Sequence, residues 1–374
     1  MVVTFSIGDC RNQDNLLRAS ALFLIPFDTT TGSGAIQPKK INQLIDLLED
    51  SSNLAEAGLV LKAHGIPFTG TWDKVRERIL PAVKDGKLPI SALVTLLRNS
   101  EEYGGQHVFV YDTTKVNASA LVNDDTLKNR LTLLGREDLL SEPDLLSKAG
   151  SRALADARIE TSTTGRTLVL KAVEAREFYK LETEYPEDGG RYKIKRYKRH
   201  EVRAVDVLRV HSDGFAEMRI HAHDSSNDYS DHLTKAWHFF SHFVSRFQFK
   251  DKSISTAQQE LWKSRSALKQ VLRYSDSRLR DTKGAVLTAA TGAQQDSLFD
   301  NEKASKSIDA FWDDDTVCDK SNVWWLKTSD EPASVPSRPI HVVMSGASNE
   351  FTLPGKCNKE DFDYVLAQIR KANK

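Results

Sequence analysis

The change of hydrophobic period near residue 165 limits the fold of this chain more than any other feature. Upstream, apolar residues recur at the spacing of a helix face; downstream they alternate. A 3.6-residue period and a 2-residue period cannot be satisfied by one kind of element, so the chain must combine helices with a sheet. The spacing predicts four short helices within residues 38–103. The first carries Ile41, Leu44, Ile45 and Leu48, the second Leu54, Ala57, Gly58 and Leu61, the third Trp72, Val75 and Ile79, and the fourth Ile90, Leu93, Val94 and Leu97. Pro81 should kink or end the third, and Pro89 suits the first turn of the fourth. Helices this short are not stable alone and must pack together.

From residue 165, strands are expected at Thr167 to Val173, Arg191 to Lys198, Val202 to Val210 and Phe215 to His223, with Asp-Gly turn signals between them. The last alternates most clearly. Ala216, Met218, Ile220 and Ala222 point to a core, while Glu217, Arg219, His221 and His223 point to water. A helix over 231–247 should cover the sheet with Leu233, Trp237, Phe240, Val244 and Phe247, and a second helix should run from Thr256 to Arg273. Short strands at Ala285 to Thr288, Val323 to Lys327, Ile340 to Met344 and Glu350 to Leu353 precede a closing helix after Asn358. The expected class is α+β: a small N-terminal helical domain, a central, mainly antiparallel sheet covered by helices, and a C-terminal α/β segment. The corresponding boundaries are 1–105 for the helical domain, 106–164 for a strand and helical bridge, 165–250 for the sheet with its covering helix, and 251–374 for the C-terminal region. A chain of 374 residues with 40% hydrophobic and 28% charged residues is long enough and ordinary enough in composition for two or three such domains.

Charge gives the main functional hint. Lys and Arg number 52 and so do Asp and Glu, so no whole-chain field points to a polyanion or a membrane. The distribution is uneven, with twenty basic against eleven acidic side chains between Arg191 and Lys283. The excess is densest in Arg191-Tyr-Lys-Ile-Lys-Arg-Tyr-Lys-Arg199, where Arg191, Lys193, Lys195, Arg196, Lys198 and Arg199 interleave with Tyr192 and Tyr197. Arg203, Arg209 and Arg219 could extend the same face. Cations neutralise phosphates and aromatic rings stack on bases, so this segment is the candidate nucleic-acid-binding surface. A solvated sheet face and a site for an acidic protein are the alternatives.

Two constellations raise metal chemistry. His221 and His223 share a strand face at i, i+2, and Asp224 follows, the spacing that lets two imidazoles reach one ion. The string fails the HxHxDH pattern, because Ser225 and Ser226 stand at the next positions. Asp206, Glu217 and Arg219 imitate the D…ExK set of Mg²⁺-dependent nucleases, with Arg219 where lysine would stand. His238 and His242 lack the glutamate of HExxH, and no phosphate-binding loop or nucleophile elbow is present.

Cys10, Cys318 and Cys357 are few, distant and odd in number, which favours inert thiols in a reducing compartment. The first residues lack a basic segment ahead of an apolar run, so no export signal is expected, and the cytoplasm is the expected location. The reading that follows is a non-enzymatic interaction protein without a cofactor, binding DNA or RNA through the basic sheet segment and protein partners through the helices, with no membrane contact. A metal-dependent nuclease or phosphodiesterase and a purely protein-binding assembly component are its alternatives.

Overall fold

The computed structural model describes residues 38–374 except 53, 147–149, 164, 223–228, 294, 329–334 and 346. Pro38–Lys374 form one compact unit. The fold is α+β, as the change of period requires.

Helices α1 (Pro38–Ser51), α2 (Leu54–Ala63), α3 (Trp72–Lys84) and α4 (Ile90–Glu102) make a helical lobe. Their stripes meet in a common core that holds Ile41, Leu44, Ile45, Leu48, Leu61, Val75, Ile79, Leu93 and Leu97. Pro81, expected to kink or end α3, does not end it: the helix continues to Lys84. The proline forfeits one donor, but its carbonyl still accepts from Asp85 N at 2.8 Å, so the last turn closes around it.

Gly104 and Gly105 lead from α4 into strand β1 (Gln106–Asp112). A Cβ on Gly104 would lie 2.5 Å from Lys356 Cα and 2.6 Å from Cys357 N. Backbone cannot yield as a flexible side chain can. Gly104→Ala is therefore expected to destabilise the protein by about 1–3 kcal/mol, measured by urea unfolding.

Next come α5 (Lys115–Leu121) and α6 (Asp124–Leu133), capped by Thr114 and Asn123, whose side chains accept backbone N–H bonds. Then follow β2 (Ala153–Ser162), β3 (Gly165–Glu187), β4 (Tyr192–His211), β5 (Phe215–His221), α7 (Ser230–Phe240), β6 (Lys250–Asp251) and α8 (Ser255–Lys263). The chain closes with β7 (Leu272–Arg280), β8 (Val286–Ala290), α9 (Glu302–Phe311), β9 (Val317–Trp325), β10 (Ile340–Met344), β11 (Glu350–Leu353) and α10 (Lys359–Ala372). The strands form one antiparallel sheet in the order β2-β3-β4-β5-β1-β11-β10-β9-β7-β8, with β6 beside β1.

Each face of this sheet has its own cover. On one face Phe109, Leu168, Leu170, Leu208, Ala216, Met218 and Ile220 pack under α7 with Trp237 and Phe240. On the other, Val108, Phe215, Val323, Trp325, Val342 and Phe351 pack against Trp262 of α8 and Phe362, Val365 and Ile369 of α10. Helix α10 is set as its sequence implies: Asn358 accepts from Asp361 N, acids open it, and Arg370 and Lys371 close it.

Several boundaries differ from expectation, each for a local reason. Strand β2 falls at the end of the expected strand and helical bridge, where no strand was assigned to these residues, its pattern disguised by the buried charge of Asp156. The two strands expected between Arg191 and Val210 are one 20-residue strand. Helix α7 stops at Phe240, a separate 3-10 turn follows at Arg246–Gln248, and Phe247 stands fully exposed while Phe249 enters the core instead. The helix expected through Arg273 ends at Lys263, because Leu272, Tyr274 and Leu279 belong to strand β7. Helix α9 was not expected at all. No helix among the described residues is long and apolar enough to cross a membrane.

Candidate nucleic-acid interface

The polar side of β5, expected to face water, is buried. Glu217 and Arg219 are both 0% exposed. The C-terminal end of α4 covers them and brings two more carboxylates, Glu101 and Glu102, onto the sheet. A buried charge needs a partner, and this face supplies partners by alternating sign along neighbouring strands. Arg158 on β2 bonds Glu102 at 2.8 Å, Asp156 at 2.9 Å and Glu160 at 2.5 Å. Lys171 on β3 reaches Glu101 at 3.0 Å, and Arg209 on β4 reaches Glu160 at 2.7 Å. Arg219 donates to Glu217 at 2.9 Å and to the Glu102 carbonyl at 2.6 Å, with its guanidinium 4.8 Å from the Tyr103 ring and 3.8 Å from the Phe362 ring. His211 meets Glu217 at 3.0 Å.

Burial by itself would raise the Glu102 carboxyl, but Arg158, Lys171 and Arg209 overcome it and hold the group down to about 2. Glu217 is likewise held well below the usual carboxylate range, burial being outweighed by Arg219, His211 and Arg209. Of the proposed polyanion face, Arg203, Arg209 and Arg219 therefore belong elsewhere. Arg209 and Arg219 are buried among these carboxylates, and Arg203 pairs with Glu101 and donates to the Leu146 carbonyl at 2.8 Å. They bind the helical lobe to the sheet instead of facing solvent.

The nuclease-like set does not converge. Arg209 pairs with Glu217 across β4 and β5, and Asp206 lies three residues from Arg209 along the strand, so Asp206 is on the opposite face from Glu217. Asp206 belongs to a second cluster, bonded by Arg152 at 2.7 Å and Arg176 at 2.5 Å, with Glu174 alongside. Among the described residues no group of three or more His, Cys, Asp or Glu is arranged to hold a metal. His221 lines a cleft of about 250 Å³ with Glu101, Arg203 and Lys356. His223 and Asp224, its expected co-ligands, lie outside the described residues. The thiols of Cys318 and Cys357 are pushed up to about 12 by burial.

The remaining basic residues occupy a different structure. Strand β2 pairs with β3 only as far as Val173, and β5 pairs with β4 only from Val207 onward, whereas β3 and β4 pair with each other out to Glu187 and Tyr192. Residues 175–187 and 192–203 thus form a two-stranded arm, about 40 Å long at ~3.3 Å per residue. Register assigns its faces. One face carries Glu177, Tyr179, Leu181, Glu184 and Pro186 opposite Glu201, Arg199, Tyr197, Lys195 and Lys193. The other carries Phe178, Lys180, Thr183, Tyr185 and Glu187 opposite His200, Lys198, Arg196, Ile194 and Tyr192. A β-bulge between Leu181 and Thr183 keeps the faces aligned.

The two faces differ in charge. On the first, Lys193 and Lys195 meet Glu184 at 2.5 and 3.4 Å and Arg199 meets Glu177. Arg191, in the turn at the tip, approaches Asp188 at 3.6 Å. On the second, Arg196 and Lys198 have no ion-pair partner among the described residues, and Lys180 shares their face with Tyr185, Tyr192 and the stacked pair Phe178–His200, centroids 5.5 Å apart. The arm sorts the basic run into a neutralised face and a cationic one.

Reading the sequence singled out the arm's cations but missed the charge network that fastens the lobe, with Glu101, Glu102, Asp156, Arg158 and Lys171 at its centre. A usable signal was present: opposite charges at i, i+2, as in Asp156/Arg158/Glu160 and Glu217/Arg219, mark a strand face whose charges neutralise one another. No protein-family model matches the chain, and no curated protein matches it in sequence.

Proposed function

We propose that this chain is a non-enzymatic binding protein that contacts DNA or RNA through the cationic face of its arm, with Arg196, Lys198 and Lys180 toward phosphates and Tyr185, Tyr192 and Phe178 beside them. The observation that carries this reading is that register sets Arg196 and Lys198 on one face, free of carboxylates among the described residues, while Lys193, Lys195 and Arg199 are ion-paired on the other. A two-stranded ribbon fits a major groove, and exposed aromatics on the same face can stack on unpaired bases. Such contacts release counterions, so affinity should fall steeply with salt.

Fluorescence anisotropy with single- and double-stranded oligonucleotides over a salt series tests this. Arg196→Ala with Lys198→Ala should weaken binding about tenfold or more at low salt and flatten the log–log salt slope by roughly 1.5. Lys193→Ala with Lys195→Ala should do less, because Glu184 already neutralises those ammonium groups. Absence of binding at low salt, or equal effects of the two double variants, would remove the proposal.

A further inference from the structure

The neutralised face of the arm has an unusual surface. Tyr179, Leu181 and Tyr197 are 62%, 45% and 52% exposed, and the register places them side by side at its centre. Around them stand Glu177 and Glu184 on β3 and Lys193, Lys195 and Arg199 on β4. An aromatic and aliphatic centre ringed by charge is the anatomy of a protein contact. A two-stranded ribbon with neither face covered is also marginal in water, and no element of the described chain packs on this one beyond its base.

The charge order names the occupant. Acids lie on the β3 side of this face and bases on the β4 side, except Glu201 at the base of the arm. If two arms stack face to face about a twofold axis parallel to their strands, the β3 of each lies over the β4 of the other. Glu184 then meets Lys195 of the second copy, Tyr179 meets Arg199 and Leu181 meets Tyr197, and the one like-charged meeting is Glu177 with Glu201 at the base of the arm. A twofold axis across the strands would instead set acid over acid.

We infer that the arm is a homodimerisation element, in which two copies of this chain pair through the Tyr179–Leu181–Tyr197 face with their arms stacked face to face and running in the same direction. The inference is independent of nucleic acid, yet compatible with it, since pairing through this face leaves both cationic faces outward. A ribbon face about 40 Å by 10 Å buries roughly 400 Å² per copy, about 800 Å² in all and less than a stable specific interface needs, so the dimer is a weak, rapidly reversible one.

Sedimentation velocity of the full chain, after nuclease digestion, reads the result. The native chain should pass from monomer to dimer as concentration rises. Tyr179→Ser with Tyr197→Ser should raise the dissociation constant at least about tenfold while leaving the melting temperature of the compact unit unchanged, since both rings are exposed. A chain with Glu177→Lys and Glu184→Lys, and a second with Lys193→Glu and Lys195→Glu, should each be monomeric, and mixing the two should restore the dimer. The inference is overturned if the native chain stays monomeric, if its dimer vanishes on nuclease digestion, if the tyrosine variant dimerises as well as the native chain, or if the two charge variants do not pair.

Discussion

Arg219→Ala will cost about 3–5 kcal/mol of folding stability, a large share of the 5–15 kcal/mol typical of a folded protein. The side chain is fully buried, and truncation removes three things together: the charge partner of Glu217, the donor to the Glu102 carbonyl, and the flat group between Tyr103 and Phe362. What remains is a buried carboxylate with, among the described residues, His211 at 3.0 Å and Arg209 at 3.8 Å to balance it. Most of the loss comes from that stranded charge and not from the bond itself. The double variant Arg219→Met with Glu217→Leu should therefore recover much of the stability, since two apolar residues need no partner. By contrast, Lys193→Ala in the exposed arm should change stability by less than about 0.5 kcal/mol. Urea unfolding of the three variants decides the matter. A loss below about 1 kcal/mol for Arg219→Ala would mean that solvent reaches this face and the network does not hold the lobe.

The same network explains which parts of the fold were legible in the sequence. Where a buried face is apolar, its period reads directly: Ile41, Leu44, Ile45 and Leu48 in α1, Phe362, Val365, Leu366 and Ile369 in α10, and the strands Ile340–Met344 and Glu350–Leu353. Where the buried face is charged, the alternation looks like solvent exposure. Glu217 and Arg219 were therefore expected in water, and Ala153–Ser162 was not seen as a strand. Pairing of opposite charges is a three-dimensional property, and Glu101 with Lys171 or Glu102 with Arg158 are joined across more than fifty residues. The outer arm failed for the opposite reason. With neither face buried, β3 beyond Arg176 has no burial period to read, and only the tyrosines and the Asp188-Gly-Gly190 turn marked it. The candidate site was legible as composition, a run of cations with tyrosines. Which cations are neutralised depends on cross-strand register and the bulge after Leu181, neither of which the sequence displays.

Acid will test whether the lobe is held by charge. Glu102 falls from an ordinary 4.5 to about 2 in the folded protein, burial being outweighed by Arg158, Lys171 and Arg209, and Glu217 is depressed as well. Below pH 5 the unfolded chain takes up protons that the folded chain refuses, so stability falls with pH. The contribution of Glu102 is complete above pH 4.5, drains as the pH drops toward 2, and amounts to roughly 3 kcal/mol. Glu160 and Glu174, also lowered against burial by their arginines, steepen the same limb. Once the carboxylates are protonated, Arg158, Arg209 and Arg219 are left as buried cations facing one another, which drives the lobe off the sheet. Chemical unfolding at pH 7, 5, 4, 3 and 2.5 should therefore show little change down to pH 5 and a steep loss beneath it. Glu102→Gln should be less stable than the native chain at pH 7 and should converge with it at the acid end, because it has no proton left to gain at that position. A native chain whose stability stays level from pH 5 to pH 2.5 would show that these carboxylates are not held in their ionised form by the arginines around them.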